Sequence, residues 1–116
     1  MTLREFYAKT NADYDAVIRR LINETMVLKY LNKFQNDAYF TQLQQSVCRQ
    51  DYETAYRCAH TLKGLCLSLG FETMSKPVIE LTEELRAGIT ENADTYLAAI
   101  EPLYADIIRW IGELSE

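Results

Sequence analysis

His60 is the sole histidine of this 116-residue chain, with Lys63 three residues after it and Gly64 four after. Imidazole has an ordinary pKa of about 6.5, so near neutral pH it offers an unprotonated, nucleophilic nitrogen. A lysine at i+3 sits one helical turn away. There it can offset the negative charge that spreads over three oxygens while a phosphoryl group is transferred. A glycine inside a helix costs about 1 kcal/mol relative to alanine, and helix formation does not ask for it. On an exposed face it removes a side chain where another molecule approaches the backbone. Taken singly, each residue has a plainer reading: a solvated histidine, a solvated lysine and a tolerated glycine.

The segment from Asp51 to Phe71, DYETAYRCAHTLKGLCLSLGF, decides which face they occupy. Ala55, Ala59, Leu62, Cys66 and Leu69 recur at spacings of 4, 3, 4 and 3, the apolar stripe of a core-facing helix. Advancing about 100° per residue from the centre of that stripe puts His60 near 140°, Gly64 near 180°, Leu67 near 120°, Tyr56 near 100° and Lys63 near 80°. The histidine therefore points away from the core. Leu67 and Tyr56 share its outward side and form an apolar docking rim, a weak signal alone because single exposed apolar residues are common. Asp51 caps this helix, and Gly70 ends it as a left-handed residue.

The elements that must hold this helix are also helical, and no stretch alternates at period two. A short leader offers Leu3, Phe6 and Tyr7. Thr10 or Asn11 caps a second helix with Tyr14, Val17, Ile18 and Leu21, and a third carries Val27, Leu31 and Phe34. Asn36-Asp37 breaks the chain and re-caps it into a stretch with Phe40, Leu43 and Val47. Phe71 to Ala87 reads as a helix closed by Gly88, with Met74, Val78, Leu81 and Leu85 inward. Pro77 either kinks it or falls in a first turn that starts near Ser75. The last helix, 93–114, sets Leu97, Ile100, Tyr104, Ile107, Ile111 and Leu114 on a bundle seam, with a bend expected at Pro102. The expected fold is all-α: an antiparallel four-helix bundle with additional short N-terminal helices. One domain spans 1–116, with N-terminal helices and a first bundle helix in 1–50, a central hairpin in 51–88 and a last bundle helix in 93–114.

Composition limits the alternatives. Twelve basic against seventeen acidic residues give a net charge of −5, so no overall basic field favours nucleic acid. No apolar run approaches the roughly 18 residues of a membrane span, and the N-terminus lacks a signal-peptide core. Cys48, Cys58 and Cys66 are odd in number and lack CxxC spacing, which fits reduced thiols in a cytoplasm. Met1 and the lack of flanking linkers read as a free-standing protein, although a domain cut from a sensor kinase would look the same. One histidine without a Glu-x-x-His pair makes a metal-binding bundle the least favoured reading.

Ala59-His60-Thr61-Leu62-Lys63-Gly64, with Gly70 six residues on, resembles the signature of the histidine-containing phosphotransfer (HPt) domain. The similarity runs with good specificity over about residues 51–88, including Asp51-Tyr52-Glu53-Thr54-Ala55 upstream and Leu81-Thr82-Glu83-Glu84-Leu85-Arg86 downstream, and more loosely over the whole chain. The resemblance implies that His60 is phosphorylated, through Nε2, by a receiver-domain aspartyl phosphate and passes the group to another receiver aspartate. It also implies that Lys63 stabilises phosphoryl charge, that Gly64 admits the partner's loop and that Gly70 makes the turn. Partner docking is expected on Tyr56, Arg57, Leu67 and Ser68. No cofactor or metal is expected on this chain; Mg2+ belongs to the receiver. Response-regulator receivers are the expected partners, with a hybrid sensor kinase as a further candidate, and the chain is expected to be a monomer. Many members carry small or polar residues after the Lys-Gly pair, whereas Leu65, Cys66 and Leu67 stand here, a departure that bears on partner preference. Without a GxxxxGK[ST] loop or room for an ATP-binding domain, the implied role is carrier and not kinase. Two other readings stay open: an adaptor that binds receivers without taking phosphate, and a sensor-kinase dimerisation domain.

Overall fold

In the computed structural model, which describes residues 1–114, seven helices follow one another: α1 (Leu3–Lys9), α2 (Tyr14–Leu21), α3 (Glu24–Asn36), α4 (Tyr39–Cys48), α5 (Tyr52–Leu69), α6 (Glu72–Arg86) and α7 (Ala93–Gly112). Short polar side chains start several of them by accepting from otherwise unpaired backbone N–H groups. Thr2 and Glu5 form a reciprocal capping box on α1, Asn23 caps α3, and Asp51 caps α5 by accepting from the Thr54 N–H at 3.3 Å. Helix α2 is capped by Asp13, not by Thr10 or Asn11 as the sequence led us to expect. Thr10 instead closes α1, its hydroxyl donating to the Tyr7 carbonyl, and Asn11 takes a left-handed φ of 64° that turns the chain.

The all-α, four-helix-bundle expectation holds. Helices α4, α5, α6 and α7 pack each on the next, and α7 returns to α4. The first column is divided, because α3 stops at Asn36 and α4 restarts at Tyr39. Asn36-Asp37 does break the chain, but it does not re-cap it: Ala38 holds the N-cap position of α4 and no side chain bonds there. The Asn36 amide donates backward to the Asn32 carbonyl, and the Asp37 carboxylate turns inward. Its Oδ2 is buried without a hydrogen-bond partner among the described residues, beside a cleft lined by Phe34, Phe40, Leu62 and Tyr104. Helices α1 and α2 cover the end of the bundle where α5 turns into α6. Phe6 meets Phe71 edge-on at 6.2 Å, and Phe34 meets Phe71 at 5.1 Å.

Helix α6 starts at Glu72, so Pro77 lies inside it and not in its first turn. The carbonyl that loses its donor to Pro77 belongs to Thr73, an exposed residue, where water can replace the bond. Met74, Val78, Leu81 and Leu85 are buried as expected; Ser75 and Thr82 join them by donating to the carbonyls four residues back. Helix α7 runs unbroken through the exposed Pro102 and ends at Gly112, two residues before the expected limit. Leu114 is therefore beyond the helix and half-buried. Tyr104 is also half-buried, its ring against Phe40 at 4.7 Å. Asn92 and Tyr96 both donate to the Glu84 carboxylate and tie α7 to α6. These bonds hold the Glu84 carboxyl below its ordinary pKa and push the Tyr96 phenol up to about 12. Among the described residues no helix is long and apolar enough to cross a membrane.

Candidate functional site

Helix α5 is the scaffold of the site. Ala55, Ala59, Leu62, Cys66 and Leu69 are all buried, as the stripe requires, and Cys58 is buried beside them, its thiol 3.9 Å from the Gln42 side-chain oxygen. Burial pushes the Cys66 thiol up to about 12. A helix fixed so firmly along one side leaves the opposite side determined. There His60 and Gly64 are exposed, Leu67 is 51% exposed, and Tyr56 and Lys63 are half-buried along the edge nearer the stripe.

The His60 imidazole makes no hydrogen bond or ion pair with the described residues, so both ring nitrogens remain available. Its ring neighbour is Tyr56, with centroids 5.9 Å apart and planes inclined by 32°. A Cβ built on Gly64 would meet nothing within 4 Å beyond its own helix, so the space one turn from His60 is open. Lys63 pairs with no carboxylate among the described residues. Arg57, also exposed, lies on the flank with its guanidinium near the Thr54 hydroxyl at 3.4 Å. Ser68 is exposed too, and its carbonyl accepts from Arg20 Nε at 3.0 Å. That bond places a cation at the carbonyl end of α5, where the helix dipole is negative.

Gly70 closes α5 with φ 78°, its N–H and that of Phe71 both reaching the Cys66 carbonyl. It is also a contact point. A Cβ there would lie 2.7 Å from Val17 Cγ2 and 3.3 Å from Ala12 Cβ, so α2 rests directly on the turn. Neither Val17 nor Arg20 was legible as a supporting residue, since each lies about 50 positions away along the chain. Beside Leu67, a cleft of about 190 Å3 opens between α5 and α6, with Lys76 and Ile79 on its far wall. Among the described residues no group of three or more His, Cys, Asp or Glu is arranged to hold a metal ion. The site is thus an exposed nucleophile with an aromatic neighbour, a nearby lysine and open space on one side.

The model of the Hpt domain family matches residues 32–110, more than half of the chain. The match begins inside α3 and ends inside α7, so α1 and α2 lie outside it. No curated protein and no solved structure matches the chain.

Proposed function

We propose, on the premise that this chain belongs to the Hpt domain family and so serves phosphotransfer in two-component signalling, that His60 is its phosphoryl-accepting residue. A receiver-domain aspartyl phosphate supplies the group, and the aspartate of another receiver removes it. The observation that carries this reading is an exposed His60, without hydrogen bonds to the described residues, one turn from a glycine that leaves the approach clear.

The chemistry needs no further reactant. The lone pair of the neutral imidazole, through Nε2, attacks phosphorus in line. The P–N bond forms as the P–O bond to the aspartate breaks, and the carboxylate leaves with the electron pair. The other ring nitrogen keeps its proton or releases it to water. Transfer onward is the reverse, with a second carboxylate as nucleophile. Lys63 offsets charge on the phosphoryl oxygens, Gly64 admits the loop that bears the aspartate, and Arg57, Leu67, Ser68 and Tyr56 contact the surrounding receiver surface. Mg2+ is carried by the receiver. The protein works as a monomer in the cytoplasm, a setting that suits its free Cys48, Cys58 and Cys66.

The test is incubation with a phosphorylated receiver. Wild-type protein gains an acid-labile, base-stable label, and His60→Gln gains none. Label on His60→Gln would move the chemistry elsewhere, and none on wild type with intact receiver binding would leave an adaptor. A dimeric mass at micromolar concentration would favour the kinase-dimerisation reading.

A further inference from the structure

The two sides of the His60 ring are not equivalent. Side chains on a helix lean toward its N-terminus and cover the preceding turn. His60 therefore leans over the turn that carries Tyr56, four residues earlier, and the 5.9 Å separation with a 32° inclination is the contact this lean produces. Tyr56 is itself anchored: it is half-buried and packed against the bundle core, whereas His60 is exposed. On the other side, one turn toward the C-terminus, Gly64 presents empty space. One side of the imidazole is backed by a fixed aromatic ring, and the other faces the solvent from which a partner must come.

We propose that Tyr56 is a positioning residue for phosphoryl transfer, its ring holding the His60 imidazole so that the attacking nitrogen faces the open Gly64 side. This rests on His60 being the phosphoryl acceptor, and it gives Tyr56 a role beyond docking. An exposed histidine otherwise samples several rotamers, most of which aim neither nitrogen at an incoming phosphorus. In-line attack demands a near-attack arrangement, and an orientation fixed before the encounter removes that cost from the transfer step. The ring face does this and the hydroxyl does not, so phenylalanine serves equally at position 56.

Because His60 is the only histidine, its imidazole C–H signals are identified in a carbon–proton NMR spectrum without further assignment. Tyr56→Ala moves them to the positions of an unstructured histidine, and Tyr56→Phe keeps them near wild type. In single-turnover transfer from a phosphorylated receiver at saturation, where any loss of docking affinity is compensated, Tyr56→Ala is about three- to ten-fold slower, the fold-change expected from losing one aromatic contact. Tyr56→Phe restores the rate. Should alanine unfold the bundle, Tyr56→Leu keeps the apolar packing without the ring and is read the same way. Unmoved His60 signals in the alanine or leucine variant overturn the proposal. So does a weakened affinity with an unchanged saturating rate, which leaves Tyr56 as a docking contact. If wild type takes no phosphoryl group, the functional reading fails, and the spectra alone decide whether Tyr56 holds the ring.

Discussion

Replacing Gly70 by alanine tests how the N-terminal helices are attached to the helix that bears His60. Two costs are written in its geometry. A φ of 78° is left-handed, and an L side chain there costs about 1–2 kcal/mol. The added Cβ would also stand 2.7 Å from Val17 Cγ2. Val17 is buried and β-branched, so its methyl cannot swing away, and α2 must shift instead. Overpacking of this kind costs about 1–3 kcal/mol. The expected loss for Gly70→Ala is therefore about 2–5 kcal/mol.

Gly88 is the internal control. It has nearly the same φ, 81°, but a Cβ there meets nothing within 4 Å. Gly88→Ala should cost only the backbone component, about 1–2 kcal/mol. Urea unfolding followed by circular dichroism measures both. A double-mutant cycle then isolates the contact: in a Val17→Ala background, Gly70→Ala should cost about 1–2 kcal/mol less than in wild type. Equal losses at Gly70 and Gly88, or no coupling between positions 17 and 70, would refute the claim that α2 rests on this turn.

Other outcomes follow from the same geometry. Gly64→Gln fills open space, so stability changes by no more than about 1 kcal/mol while receiver-to-His60 transfer slows severalfold; transfer at the wild-type rate would remove the case for an access role. Lys63→Ala is expected to slow transfer in the same assay with the fold intact, and an unchanged rate would make Lys63 a bystander. Burial raises the Cys66 thiol from an ordinary value near 9 to about 12, so its contribution to stability is complete below pH 9 and is lost as pH rises from about 9 to 12. Alkylation of native protein at about pH 8 should accordingly modify exposed Cys48 first and spare Cys66 until denaturant is added; equal rates at the two would contradict the packing of α5.

Features set by local spacing are legible in the sequence, and those set by tertiary contact are not. The face of α5 was legible because its five stripe residues obey one period, and a helix with one side buried has its other side fixed. Chain ends of helices were less legible. Thr10, Asn11 and Asp13 are all competent caps, and the choice of Asp13 follows from how α1 closes on α2, with Thr10 already committed to the Tyr7 carbonyl. Pro77 misled for a similar reason: its tolerance depends on Thr73 being exposed, a tertiary fact. At the site, the sequence placed Tyr56 on the same side as His60 but could not give the ring contact, which is a matter of rotamer. It had no means of joining Arg20 to Ser68 or Val17 to Gly70. The turn that ends α5 is contacted by Val17 and Arg20, residues of α2 that lie outside the Hpt match. Destabilising α2 should thus raise amide hydrogen exchange at Leu67–Gly70 before it does so in the turn that carries His60, and simultaneous loosening of both would refute this.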